Sequence, residues 1–160
     1  MTGILKVVSP VDGSIHVERR LASAREIDEA LSEAKRAQAA WRLVPIGERA
    51  ALCLRFVEAL TAMKDEIVPE LAWQMGRPVA HGAGELRGFE ERARHMTGIA
   101  AEALADIDAG PKEGFRRWIR REPLGVVFSI AAWNYPYLIE VNSVVPAIMA
   151  GNAVILKHSG

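Results

Sequence analysis

The sequence contains a single cysteine, Cys53, among 160 residues. One thiol cannot build a disulfide framework or a clustered-thiolate zinc site, and it suits a reducing compartment, so the expected location is cytoplasmic. Excess charge of either sign is also missing, with 20 Lys plus Arg against 20 Asp plus Glu. A chain without a net field is not expected to recruit nucleic acid or an anionic membrane surface. Long apolar runs are lacking too. The richest stretch, Val141 to Leu156, is broken by Asn142, Ser143, Pro146, Gly151 and Asn152, well short of the roughly 18 uninterrupted residues a membrane span requires. Met1 to Pro10 carries one charge, Lys6, and has neither the apolar core of a signal peptide nor a lipidation pattern.

What remains is half apolar, enough for a sizeable core in roughly one domain. Ile4 to Val8 and Ser14 to Val17 are β-prone, and Pro10, Asp12 and Gly13 between them supply hairpin turn chemistry. Ser23 and Glu26 have capping-box spacing, followed by Ile27, Ala30, Leu31, Ala34, Ala37 and Trp41 on one helical face. Pro45 opens a second helix whose stripe reads Ala50, Cys53, Leu54, Val57 and Leu60, which places Cys53 in the core. A third helix over Asp65 to Met75 stops at Gly76 and Pro78, with Pro69 tolerable only near its start. A fourth runs from Gly84 to Ala105, with Leu86, Phe89, Ala93, Met96 and Ala100 facing inward.

Beyond the turn-prone Asp108 to Gly114 the pattern changes. Phe115 to Arg121 is expected to be a strand, and Gly125 to Ile130 a second, continuous apolar strand. Pro136 starts an apolar helix that Gly151 and Asn152 close, and Ala153 to Lys157 form a further strand. Strand, helix and strand within about thirty residues make one βαβ unit, which requires a parallel sheet covered on both faces. The fold class is therefore α/β: an amino-terminal hairpin and helices over residues 1–122, leading into the first βαβ unit of an incomplete Rossmann-like sheet over residues 123–160. Two parallel strands with open edges are not an independently stable sheet. The expectation is that the chain is part of something longer or pairs with a partner.

Two polar residues stand at the carboxyl ends of these strands, where open α/β sheets bind ligands. Asn134, in the loop Ala131 to Pro136, is an amide donor; held in a dry cleft it can stabilise negative charge developing on oxygen. It can equally cap the helix that Pro136 opens. The amino terminus of that helix is expected to offer free amides and partial positive charge to a ligand. Lys157 can meet a phosphate or ribose hydroxyls, or can be an ordinary solvated lysine.

The run Glu122-Pro-Leu-Gly-Val-Val-Phe-Ser-Ile-Ala-Ala-Trp-Asn-Tyr-Pro136, with Val145-Pro-Ala-Ile-Met-Ala-Gly-Asn-Ala-Val-Ile-Leu-Lys157, closely resembles the first half of the cofactor domain of the aldehyde dehydrogenase superfamily. The helical region from Ala24 to Asp106, including Gly76-Arg-Pro, is similar to that family's amino-terminal part, so the resemblance spans essentially the whole chain. It implies oxidation of an aldehyde to a carboxylic acid: a cysteine thiolate attacks the aldehyde, hydride passes to NAD or NADP, and a glutamate-activated water hydrolyses the thioester. It implies that Asn134 helps hold the oxyanion, that Lys157 contacts the adenosine ribose, and that Ile130, Ala132, Trp133 and Ser159 belong to the cofactor groove. Tyr135 stands where phenylalanine is frequent. Gly160 replaces a frequent ribose-binding glutamate and His158 a frequent proline, which leaves NAD and NADP both open. The family's nucleophilic cysteine and general-base glutamate fall after Gly160, so the purified 160-residue protein is expected not to oxidise aldehydes; turnover above a heat-killed control would contradict this.

Four arginines interleaved with Phe115, Trp118 and Ile119 superficially suit nucleic acid; the resemblance instead implies a ribbon used in homo-oligomer assembly. Gly82, Gly84 and Gly88 miss the dinucleotide fingerprint, and His16, His81, His95 and His158 are too scattered for a metal site. Two other readings stand beside the dehydrogenase one: a noncatalytic module that binds a full-length subunit or itself, and a reading frame without a stable product.

Overall fold

The computed structural model describes residues 3–159. Strands β1 (Ile4–Val8) and β2 (Ile15–Arg20) form an antiparallel hairpin, β2 running beyond the expected Val17. His16 fixes the hairpin to the helices: it stacks on Trp73 with ring centroids 5.8 Å apart, and its Nε2 lies 3.1 Å from the Glu70 carboxylate.

Helix α1 (Ala24–Trp41) begins at the expected capping box, with Ser23 and Glu26 satisfying each other's backbone N–H groups. Arg20 and the Ser23 donors hold the Glu26 carboxyl far below the ordinary carboxylate range. The apolar stripe of α1 is only partly used. Ile27 and Leu31 are exposed, and the helix is fastened by its last turns, where Gln38 Nε2 donates to the Gly151 carbonyl (3.1 Å) and Trp41 Nε1 to that of Ile148 (2.9 Å).

Helices α2 (Ile46–Ala62), α3 (Lys64–Met75) and α4 (Val79–Ala103) follow. Gly76, at φ +76°, ends α3 as expected. Helix α4 starts at Val79, earlier than the expected Gly84, because Pro78 opens it and Gly82 serves as a packing residue inside it. A Cβ at Gly82 would lie 2.8 Å from Val68 Cγ1, so only glycine lets α3 and α4 approach this closely. We expect Gly82→Ala to cost about 1–3 kcal/mol through overpacking. Gly98, with nothing within 4 Å of a would-be Cβ, should instead gain about 0.5–1 kcal/mol on replacement by alanine. Urea unfolding of the two variants should give opposite signs.

Between α4 and the parallel sheet lies a small ribbon. The expected strand from Phe115 to Arg121 shrinks to β4 (Trp118–Ile119), paired antiparallel with an unforeseen β3 (Ile107–Asp108). Phe115, Trp118 and Ile119 are exposed, and without a packed layer against them there is little to hold a longer ladder.

Strand β5 (Val126–Ile130), helix α5 (Pro136–Met149) and strand β6 (Ala153–Lys157) form the βαβ unit, with β5 and β6 parallel from the pair Val126 and Ala153 to the pair Ile130 and Lys157. Asn152 is buried and closes the unit: its Oδ1 accepts from Gly125 N–H (2.9 Å) and its Nδ2 donates to the Ala147 carbonyl (3.0 Å). Asn152→Ala leaves the Gly125 N–H unpaired, while the Ala147 carbonyl keeps its bond from the Asn152 backbone N–H, an expected loss of about 1–3 kcal/mol in thermal or urea unfolding.

Residues Cys53 and Val57 of α2, Phe89, Ala93 and Ala100 of α4, and Val141, Val145 and Met149 of α5 form one buried cluster, so the crossover helix shares its core with the helical region. The sheet is less well covered than expected. Ser129 and Ala131 are buried, but Phe128 and Ile130 on the opposite face are 61% and 67% exposed. Among the described residues no helix is long and apolar enough to cross a membrane.

Candidate functional site

The loop between β5 and α5 leaves the sheet beside the end of β6. Ala131 N–H donates to the Lys157 carbonyl (3.0 Å), and Ile130 is the register partner of Lys157. Parallel pairing puts paired side chains on the same face, so Ile130 and Lys157 are neighbours on the open face of the sheet. Trp133 and Ser159 fall elsewhere, lining a cavity of about 750 Å³ with Leu156, His158 and Glu140. Ala132 is exposed in the loop between. The expected cofactor residues therefore share one rim but divide between two surfaces.

Asn134 is exposed, and among the described residues no hydrogen bond engages its side chain. It does not cap α5. The residue before that helix is Tyr135, which caps nothing through its side chain. The cap comes from α4: Glu85 Oε1 accepts from the N–H groups of Tyr137 (2.8 Å) and Leu138 (3.4 Å). The expectation that the start of α5 presents free amides to a ligand is thus corrected. A buried carboxylate already occupies the position where helix amides and dipole favour an anion.

Glu85 is paired in turn. Arg77 NH1 lies 3.1 Å from Glu85 Oε2, the two side chains being 9% and 0% exposed. Arg77 NH2 donates to the Asn134 carbonyl, and the guanidinium sits over the Tyr135 ring, 4.1 Å from its centroid. One cation thus touches the acid that caps α5 and two consecutive residues of the loop. Sequence reasoning missed both members of the pair. The available signal was an acid among the inward-facing positions of α4, since Glu85 precedes Leu86 and lies one turn before Phe89.

Two other ionisable groups bear on the chemistry. Burial pushes the Cys53 thiol up, which suppresses its thiolate and leaves it a small core hydrophobe. Burial also raises the Glu140 carboxyl; both its oxygens are enclosed without a hydrogen-bond partner among the described residues.

A βαβ unit carrying a polar loop at the carboxyl edge is how an open, nucleotide-binding α/β sheet begins. The sequence profile of the aldehyde dehydrogenase family matches residues 2–160. The chain is 33% identical over 155 residues to an NAD-dependent benzaldehyde dehydrogenase of Pseudomonas putida, covering 97% of this chain and 32% of that protein. It superposes on the crystal structure of an NAD-dependent benzaldehyde dehydrogenase from Corynebacterium glutamicum with a TM-score of 0.89 at 30% identity, over 98% of this chain and 34% of that one. It likewise matches an NADP-dependent glyceraldehyde-3-phosphate dehydrogenase of Bacillus halodurans, solved with NADP, with a TM-score of 0.85 at 27% identity, over 96% of this chain and 33% of that one. The chain belongs to the aldehyde dehydrogenase family. It spans about a third of the length of the curated relatives it matches.

Proposed function

We propose that this chain supplies the amino-terminal part of an NAD(P)-dependent aldehyde dehydrogenase, with residues 1–122 as the hairpin, helices and ribbon and residues 123–160 as the opening of the cofactor domain. The observation that carries the reading is the adjacency of the Asn134 loop to the end of β6, through the bond from Ala131 to Lys157. It sets an amide donor and an ammonium on one rim.

Asn134, with its side chain uncommitted, can donate to an aldehyde oxygen as that oxygen gains negative charge. Lys157, exposed beside Ile130, can donate to ribose hydroxyls, while Ile130 and Trp133 offer apolar surface to the cofactor. The residues fit a dinucleotide with one restriction: because Glu85 fills the start of α5, its phosphates have no place at that helix terminus. The nicotinamide, when bound, supplies the hydride acceptor. Neither NAD nor NADP is favoured, since family members use one or the other.

The nucleophile must come from outside these residues, because the lone thiol is buried. The exposed Phe115, Trp118 and Ile119 of the ribbon suit a contact between subunits of a homo-oligomer, and the cytoplasm is the compartment inferred from the lone cysteine. The test is a hybrid in which this chain replaces the matching amino-terminal third of the Pseudomonas putida benzaldehyde dehydrogenase. NAD reduction with benzaldehyde is the expected result; a folded, soluble hybrid without turnover would count against the reading.

A further inference from the structure

We propose that Arg77 is a positioning residue for the Asn134 loop: clamped by Glu85, its guanidinium holds the Asn134 carbonyl and the Tyr135 ring and thereby fixes where the Asn134 amide points. This rests on the reading of Asn134 as an oxyanion donor, and goes beyond it in naming what holds that donor.

The loop has little of its own to hold it in place. Ala132, Trp133, Asn134 and Tyr135 are all exposed, and exposed loops sample many conformations unless tied down. A donor must be held within about half an ångström to be useful at a reacting oxygen. The backbone bond from Ala131 to Lys157 secures the start of the loop, and the cap from Glu85 secures the residues after Pro136. Neither touches residues 132–135. Arg77 does so, twice.

Its geometry suits arginine in particular. A planar guanidinium can present one nitrogen to Glu85, another to a carbonyl, and its face to a ring at once, whereas a lysine ammonium is a point charge that cannot stack. The carboxylate is equally specific in what it does. With Oε1 on the α5 amides and Oε2 toward Arg77, it couples the start of α5 to the cation. The Gly76-Arg-Pro segment brings this about: the left-handed Gly76 turns the chain out of α3 and delivers Arg77 between α4 and the loop.

The test is backbone 15N NMR relaxation on the 160-residue chain, which reads the order of residues 132–135 directly, their N–H groups having no acceptor among the described residues. Arg77→Met alone strands a buried acid, so the informative variant is the neutral pair Arg77→Met with Glu85→Gln, in which the glutamine oxygen can still accept from Tyr137. We expect the order parameters of residues 132–135 to fall from about 0.85 to below about 0.6, while those around Val57 and Phe89 keep their values. Arg77→Lys, which keeps the ion pair, should lower the same values by less and serves if the double variant does not fold. Unchanged loop order parameters, or loop and core values falling together, would overturn the proposal. These order parameters do not depend on what Asn134 does in catalysis. If Asn134→Ala leaves turnover of the hybrid intact while the loop still loosens, it is the reading of Asn134 that fails.

Discussion

Asn134→Ala is expected to lower kcat of the hybrid dehydrogenase by about 10²–10³, the usual consequence of removing one oxyanion donor. The expectation follows from what the side chain is not doing. It does not cap α5, because the Glu85 carboxylate takes the Tyr137 and Leu138 amides, and no described residue hydrogen-bonds it. Had Asn134 been a cap, its loss would appear as about 1 kcal/mol of stability. The substitution should therefore leave the unfolding midpoint nearly unchanged while turnover falls. Since the donor acts on charge that develops only in the transition state, KM for NAD should stay near its starting value. A fall in stability with kcat preserved would assign Asn134 to the fold instead.

The second large effect concerns stability. Arg77→Met should destabilise the chain by about 3–5 kcal/mol, the cost of leaving a buried charge without its partner. Glu85 has no solvent to turn to, its side chain being wholly enclosed. The neutral double variant with Glu85→Gln should recover most of that loss, because an amide is far cheaper to bury than an unpaired carboxylate. The two substitutions are thus strongly non-additive, as directly contacting groups are. Denaturant unfolding of the four members of this cycle measures the coupling. Additive losses would mean that the pair contributes little as a pair.

Much of this architecture is legible in the residues. The capping box at Ser23 and Glu26, the core stripe through Cys53 and Val57, and the βαβ unit from Val126 to Lys157 all follow local rules of period and punctuation, and they appear where those rules put them. What escaped depends on contacts between distant segments. Helix α4 extends to Val79 because Gly82 fits against Val68 from another helix, and no window of local sequence contains that fact. The strand expected through Phe115 to Arg121 had the right side chains but lacks a layer to pack on, so only two residues pair. At the site, the start of the Asn134 loop beside the end of β6 was readable from strand order. The cap on α5 was not, since its acid lies 52 residues upstream. An anion-binding helix terminus looks vacant in sequence whenever the anion filling it belongs to another helix.

The most direct measurement is a crystal structure of the hybrid enzyme with NAD. The Lys157 ammonium should lie within hydrogen-bonding distance of a ribose hydroxyl, with the nicotinamide end running toward the Asn134 amide and no phosphate at the start of α5. An adenosine bound away from Lys157, or a phosphate displacing Glu85 from the Tyr137 amide, would contradict it.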